Sequence, residues 1–226
     1  MSEQKQGKIK IGVWDLPVRV FHWALVLLIV SQIVSVSIGG NAMEYHELGG
    51  FTLLTLVLFR IVWGFVGTPT ARFANFVCGP RAVLHYVKSL VSKQPQQYAG
   101  HNPLGGWSVL AMLASVLVQA VSGLFADDEI MTTGPLWKYV SEDTANLFNV
   151  VHETNAVVLL TLICIHLAAI LFYLMRKKEN LIKPMFTGTK QLAKTIPASL
   201  RPLQGSLRAV IVLAICAVTT WAIVTF

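Results

Sequence analysis

Apolar residues in this chain are gathered into five long stretches separated by polar segments. The stretches cover residues 18–38, 46–66, 105–125, 150–174 and 207–226. Each is close to the ~20 residues that an α-helix needs to cross the ~30 Å hydrocarbon core of a bilayer. The pattern therefore predicts an all-α membrane protein with a four-helix transmembrane bundle and a fifth, C-terminal transmembrane helix.

The start of the first helix is also marked. Asp15 is a suitable N-cap, and Pro17 is tolerated in a first turn, where no intrahelical donor is lost. The apolar run is too long for a signal peptide and no small-residue cleavage site follows it, so we expect a retained helix.

The polar segments predict how the helices are connected. Residues 39–45 (GGNAMEY) form a tight loop, so the first two helices should be antiparallel neighbours. Residues 79–91 (GPRAVLHYVKSLV) mix apolar and cationic positions at helical spacing, which predicts a short amphipathic helix on the membrane surface. Residues 175–206 are basic, contain three prolines and are expected to have little regular structure. The predicted domains are the bundle (1–180), a basic cytoplasmic loop (181–206) and the last helix (207–226).

Charge changes this picture by giving it an orientation. The net charge is +7, but only 13% of the residues are charged. The basic residues lie before the first span and in the segments after the second and fourth spans, whereas acidic residues dominate the other two loops. This is the positive-inside pattern, with the N-terminus cytoplasmic and the C-terminus periplasmic. The excess of basic residues is thus a topology signal. Membrane lipid is the expected partner, and no nucleic acid partner is expected.

Four of the six histidines, His22, His46, His152 and His166, fall in the spans. An ionisable group in the hydrocarbon layer costs at least ~2 kcal/mol, so it faces protein, water or a cofactor. Fourteen residues at about 100° each return His152 and His166 to one helix face, about 21 Å apart along the axis. The topology supplies each with a mate at matching depth: His46 with His152 on the outer side, and His22 with His166 on the inner side.

Two such pairs suit two haem b groups, each iron held by axial imidazoles from different helices. Arg19 lies on the same helix face as His22. Arg60 lies on the same helix face as His46, but at the inner level. Both arginines are predicted to hold propionates of the inner haem. His101 either shapes the turn before the third span or donates to the inner propionates. Direct transport of a cation or proton by the histidines is the competing use. The three cysteines lie in different segments and no C-x-x-C-H motif is present, so covalently attached haem is not expected.

Several motifs together resemble the prokaryotic cytochrome b561 family, whose superfamily includes the b-type cytochrome subunits of nickel–iron hydrogenases. They are W-D-x-P-V-R-V-F-H-W at 14–23, H-x-x-x-G at 46–50, F-R-x-x-W-G-F at 59–65 and H-N-P-L-G at 101–105, with the two histidines of the fourth span. The resemblance covers roughly residues 12–180. It implies a four-helix core with two bis-histidine haems that exchange electrons with membrane quinone. By position, it implies that His22 and His166 hold one haem and that His46 and His152 hold the other. Two departures are the fifth helix, absent from the shortest members, and the brief outer loops.

The predicted function is therefore electron transfer in the bacterial inner membrane, between a periplasmic-side donor and quinone. The acidic outer loops favour a basic partner such as a periplasmic cytochrome c. The alternative is a haem-bearing membrane anchor subunit of a hydrogenase or other dehydrogenase, without activity alone. Superoxide oxidation with quinone as acceptor stays open within the first reading.

Overall fold

The computed structural model describes residues 8–90, 98, 100–127, 132–193 and 206–225. Within them, five helices are long and apolar enough to cross a membrane, so the predicted all-α membrane fold is confirmed. A two-stranded sheet, three short α-helices and two 3-10 turns, Gly40–Ala42 and Trp137–Tyr139, complete the described elements. In chain order the strands and α-helices are β1 (Lys8–Gly12), α1 (Leu16–Ile38), α2 (Met43–Val66), α3 (Phe73–Phe76), α4 (Pro80–Ser89), α5 (Pro103–Gly123), α6 (Glu142–Met175), α7 (Ile182–Thr187), β2 (Thr189–Ala193) and α8 (Ser206–Thr225).

Side-chain caps decide where the long helices begin. Asp15 accepts a hydrogen bond from Val18 N at 2.7 Å, which confirms the predicted N-cap of α1. Asn102 caps α5 in the same way through Gly105 N, at 2.7 Å. Helix α6 begins at Glu142, well before the apolar stretch predicted from residue 150, because its first two turns are polar and are capped by Ser141. Hydropathy alone does not detect such a polar start.

Helix α2 is the centre of the bundle and the most buried of the five spans. It packs against α1, α5 and α8, and α5 in turn packs against α6. The short 3-10 turn Gly40–Ala42 makes α1 and α2 neighbours, as predicted. Helix α8 buries Ala209, Cys216 and Thr220 and packs against α2. Phe226, the last residue of the predicted span, lies outside the described residues.

Helix α4 corresponds to the predicted amphipathic segment. It buries Tyr86 and leaves Leu84 and Val87 exposed, so apolar side chains are available to a lipid surface. Val91, the end of the predicted segment, is outside the described residues.

The segment after α6 is more regular than the sequence indicates. It contains α7, which ends at Gly188 with φ of +74°, followed by β2. Strand β2 pairs antiparallel with β1, from Lys8 opposite Ala193 to Gly12 opposite Thr189. The partner of each strand is remote in sequence, so no local pattern marks either one. The expectation of little regular structure is therefore wrong for residues 182–193, while residues 194–205 of the basic loop are not described.

Candidate functional site

The outer pair of predicted histidines is brought together by α2 and α6. The ring centroids of His46 and His152 are 6.3 Å apart, and their planes are inclined by 73°. An iron held between two imidazoles needs centroids about 6 Å apart, since each metal–nitrogen bond is about 2 Å and each nitrogen lies about 1 Å from its ring centre. The observed separation fits a single metal ion bound between these two rings.

Each outer histidine is also contacted by a buried serine that the sequence analysis did not single out. Ser35 Oγ lies 3.3 Å from Nδ1 of His46, and Ser122 Oγ lies 3.1 Å from Nδ1 of His152. The sequence carried one signal for them: both serines end a Q-x-x-S tetrad, at 32–35 and at 119–122.

The inner histidines lie toward the other end of the bundle, where the imidazoles of His22 on α1 and His166 on α6 are within electrostatic range of each other. His101 interacts with both His166 and Arg60. Its ring packs against Trp14 and Phe76, with centroid separations of 4.6 Å and 4.5 Å. Of the two roles left open for His101, this position favours contact with an inner ligand.

The surroundings of His101 keep it neutral. Burial, the Arg60 guanidinium and the His166 imidazole lower the pKa of His101 to about 3. A neutral imidazole can donate through one nitrogen and accept through the other. Its Nδ1 is buried and lacks a hydrogen-bond partner among the described residues.

Arg60 is 3% exposed and lies deep in α2. Its guanidinium stacks over Phe73, 5.1 Å from the ring centroid, and its Nη1 has no hydrogen-bond partner in the part of the chain that the structure describes. Asp15 attracts Arg60 electrostatically, although its carboxylate oxygens are engaged by Val18 N, Trp63 Nε1 and Thr68 Oγ1. From the sequence, Asp15 was predicted only as an N-cap, so its electrostatic attraction to Arg60 is an additional role.

Arg19 lies against the segment that follows α6. One of its guanidinium nitrogens donates to the main-chain carbonyl of Phe186, and its Nε is buried with no partner from the described segments. Its predicted contact with a propionate stays a prediction. His85 is exposed on α4.

Seven buried polar side-chain atoms lack a hydrogen-bond partner among the described residues, and four of them belong to residues assigned to the inner layer. These four are His22 Nδ1, Arg60 Nη1, His101 Nδ1 and Arg19 Nε, and the other three are Gln32 Nε2, Thr70 Oγ1 and Thr220 Oγ1. Buried donors without partners are costly, so they suit a ligand that brings acceptors such as carboxylates. The propionate groups of a haem have this chemistry, and the residues present therefore fit the predicted cofactor. Among the described residues, no group of three or more His, Cys, Asp or Glu side chains is placed to hold a bare metal ion.

Comparison with known proteins gives a consistent result. Residues 13–188 match the family model described as Prokaryotic cytochrome b561. The curated relatives include three proteins named "Probable Ni/Fe-hydrogenase B-type cytochrome subunit". The one from Bradyrhizobium diazoefficiens is 20% identical over 84% of this chain and 90% of its own length. The relative from Rhizobium leguminosarum bv. viciae is 24% identical over 84% of this chain and 92% of its own length. The relative from Azotobacter vinelandii is 30% identical over 53% of this chain and 59% of its own length.

No solved structure matches the chain. The family match extends from the residue before Trp14 to the end of α7, and so includes all four span histidines, Arg19, Arg60 and His101. Together with its membrane-spanning helices, this match makes the chain a multi-pass b-type cytochrome. The chain belongs to the prokaryotic cytochrome b561 family.

Proposed function

We propose that this protein is the haem-bearing membrane subunit of a hydrogenase or a related dehydrogenase, and that it passes electrons to membrane quinone. The single observation that carries the proposal is the 6.3 Å separation of His46 and His152, which matches two axial ligands of one iron. The names of the relatives favour this reading over a free-standing cytochrome that takes electrons from a periplasmic cytochrome c.

Two haem b groups are assigned, one to each histidine pair. When bound, haem supplies one-electron chemistry at its iron. His46 and His152 hold the outer iron from α2 and α6, and His22 and His166 hold the inner iron from α1 and α6. The apolar helices exclude water from both sites, which lets charge on nearby side chains act strongly.

Arg60 and His101 are assigned to the inner propionates. Arg60 is buried with an unpaired Nη1, so a carboxylate beside it would satisfy the donor and balance its charge. Neutral His101 supplies one more donor in the same region.

The charge pattern and the sheet both support a cytoplasmic N-terminus. Strands β1 and β2 pair, so residues 8–12 and 189–193 lie on one side of the bilayer, with the crossings of α1, α2, α5 and α6 between them. Both flanking segments are basic, which assigns that side to the cytoplasm of a bacterial inner membrane. Helix α8 then ends in the periplasm.

Quinone is assigned to the inner side, because its reduction needs protons as well as electrons. The inner layer carries His101 next to Asn102, whose amide donates to the Tyr173 hydroxyl at 3.1 Å. Tyr173 shares a hydrogen bond with Tyr86 of α4, so protonatable groups continue from His101 toward the surface helix. His101→Ala should slow quinone-dependent oxidation of the pre-reduced protein with haem content intact, whereas Glu47→Gln, at the outer end, should not. The opposite result would move the quinone to the outer side.

The haem assignment is tested by quantitation together with a reduced-minus-oxidised spectrum. The purified protein should carry two haems, and each single change among His22, His46, His152 and His166 to Ala should remove about one of them. Losses should sort by layer, so that His46→Ala and His152→Ala share one spectral phenotype and the inner pair shares another. His85→Ala, at an exposed position, is the matched control and should keep both haems. A wild-type protein with one haem or none, under good cofactor supply, would refute the two-layer assignment.

The choice between subunit and free-standing cytochrome needs a second experiment. The isolated protein should not reduce quinone with superoxide or a soluble cytochrome as donor. Activity should appear only when the complex is purified intact through a tag on this chain, with a dehydrogenase subunit present. Quinone reduction by the isolated chain from a small donor would restore the free-standing reading.

A further inference from the structure

The sequence Q-x-x-S occurs on two different helices, and each copy reaches one outer histidine. It covers residues 32–35 of α1 and 119–122 of α5. Ser35 is 4% exposed and contacts His46 of α2, while Ser122 is 2% exposed and contacts His152 of α6. Because α1 packs on α2 and α5 on α6, both contacts cross a helix–helix interface.

The hydroxyl proton of each serine is directed at its own helix. Ser35 Oγ donates to the carbonyl of Gln32 at 2.9 Å. Ser122 Oγ donates to the carbonyl of Val118 at 2.7 Å, with the carbonyl of Gln119 at 3.2 Å. A carbonyl oxygen can only accept, and a serine has one proton, so each Oγ is left as an acceptor toward the imidazole.

With the hydroxyl protons so directed, the imidazoles donate from Nδ1, and the main-chain carbonyls of Gln32 and Gln119 are further acceptors for His46 and His152. A neutral imidazole protonated at Nδ1 has its free lone pair at Nε2, and that is the nitrogen available to a metal. Both outer histidines are thus set in the same tautomer before any metal binds. When the serine oxygen accepts a hydrogen bond from Nδ1–H, the imidazole also becomes a more basic ligand.

Close packing limits rotation of one of these rings. A Cβ built on Gly123, the residue after Ser122, would lie only 3.0 Å from Cε1 of His152. The ring of His152 is therefore in contact with the backbone of α5 beside its hydrogen bond to Ser122. His22 at the inner layer differs, since its buried Nδ1 lacks a partner within the described part of the chain.

We infer that Ser35 and Ser122 are positioning residues for the outer haem, which fix the tautomer and ring plane of His46 and His152. This inference rests on the proposed function, in which these two histidines bind the outer iron. It adds that the outer haem is held by a preorganised pair of ligands built from a repeated motif.

The test is a redox titration of Ser35→Ala, Ser122→Ala and the double variant, each with electron paramagnetic resonance of the oxidised haems. A less basic ligand stabilises the ferric state less, so the ratio of ferrous to ferric outer haem at a fixed potential should rise. We expect about threefold for each serine, or about 28 mV at 59 mV per tenfold for one electron. The low-spin resonance of the outer haem should also broaden, because the ring planes are freed. Both single variants should alter the same haem although the serines lie on different helices.

Two serines serve as matched controls. Ser37 lies on α1, is exposed and donates to the carbonyl of Ile33 on its own helix. Ser115 lies on α5, is 6% exposed and bonds Asn155. Neither Ser37→Ala nor Ser115→Ala should shift the outer potential. Ser35→Thr and Ser122→Thr keep the hydroxyl group. If an Ala variant loses its haem, the matching Thr variant should retain that haem at the wild-type potential.

The outcomes distinguish failure of the haem assignment from failure of the serine role. If His46→Ala and His152→Ala do not remove the same haem, the proposed function and this inference both fail. If they do, and the double serine variant leaves the potential and resonance of that haem unchanged, only the serine role is refuted. Equal shifts in both haems, or in the Ser37→Ala control, would also refute it, as would haem loss that the Thr variants do not reverse.

Discussion

Replacing Asp15 should destabilise the inner end of the bundle far more than its position beside a helix end indicates. The carboxylate is 2% exposed and accepts hydrogen bonds from Val18 N at 2.7 Å, Trp63 Nε1 at 3.0 Å and Thr68 Oγ1 at 2.6 Å. One residue thus joins the start of α1 to the end of α2.

The magnitude follows from the three bonds lost in Asp15→Ala. Loss of the cap costs about 1 kcal/mol. Trp63 Nε1 and Thr68 Oγ1 would then be buried donors without acceptors, at about 1–3 kcal/mol each. The total is about 3–7 kcal/mol, and a chain of this size loses about 2–4 °C of melting temperature per kcal/mol. We expect a decrease of at least about 6 °C.

The assay is thermal unfolding of the detergent-solubilised protein, followed by circular dichroism. Asp15→Ser keeps a cap acceptor without reaching the other two donors, so its melting temperature should fall between those of Ala and wild type. Asp143→Ala, at an exposed position in the first turn of α6, is the control and should change stability by no more than about 0.5 kcal/mol. A decrease below about 2 °C for Asp15→Ala would show that the three bonds do not contribute as described.

Three further perturbations probe other parts of the molecule. Arg60→Gln removes a buried cation that favours the reduced state, so redox titration should show the inner haem lowered by on the order of tens of mV and the outer haem almost unchanged; exposed Arg208→Gln should shift neither. Asn155→Ala removes the hydrogen bonds to Ser115 and Gln119 that join α6 to α5, and thermal unfolding should show a loss of about 1–2 kcal/mol in stability. Thr161→Ala is the control and should not show this loss, because the Thr161 hydroxyl bonds within its own helix. Gly188→Ala places a Cβ at positive φ and 2.9 Å from Trp14 O, so limited proteolysis should cut near residue 188 faster than in wild type or Gly50→Ala, where a Cβ meets open space. An unchanged digestion rate would contradict the strain at residue 188.

The sequence contained most of the fold because lipid imposes a strong constraint on composition. The spans and the tight loop at 39–45 could be located from apolar length alone, and Asp15 from its place before the first apolar residue. What local composition could not provide was pairing over long range. Strand β2 is recognisable only through β1, and the polar start of α6 only through the Ser141 cap.

The candidate site divides in the same way. Helical arithmetic and depth were enough to pair His46 with His152, because both depend on spacing along rigid elements. The partners of these rings depend on rotation of each helix about its own axis, which hydropathy does not report. Ser35 and Ser122 were therefore missed, and so was the electrostatic contact of Asp15 with Arg60.

The small sheet sets an order of events during biosynthesis. Strand β1 leaves the ribosome before any span, yet its partner β2 follows the fourth crossing helix, so the strand stays without its mate while α1, α2, α5 and α6 are inserted. An unpaired strand edge is prone to join other chains, and a lysine such as Lys10 within it opposes such association. Closure of the sheet then reports that four crossings have been completed, and any insertion error that changes the number of crossings from even to odd leaves the two strands on opposite sides of the membrane.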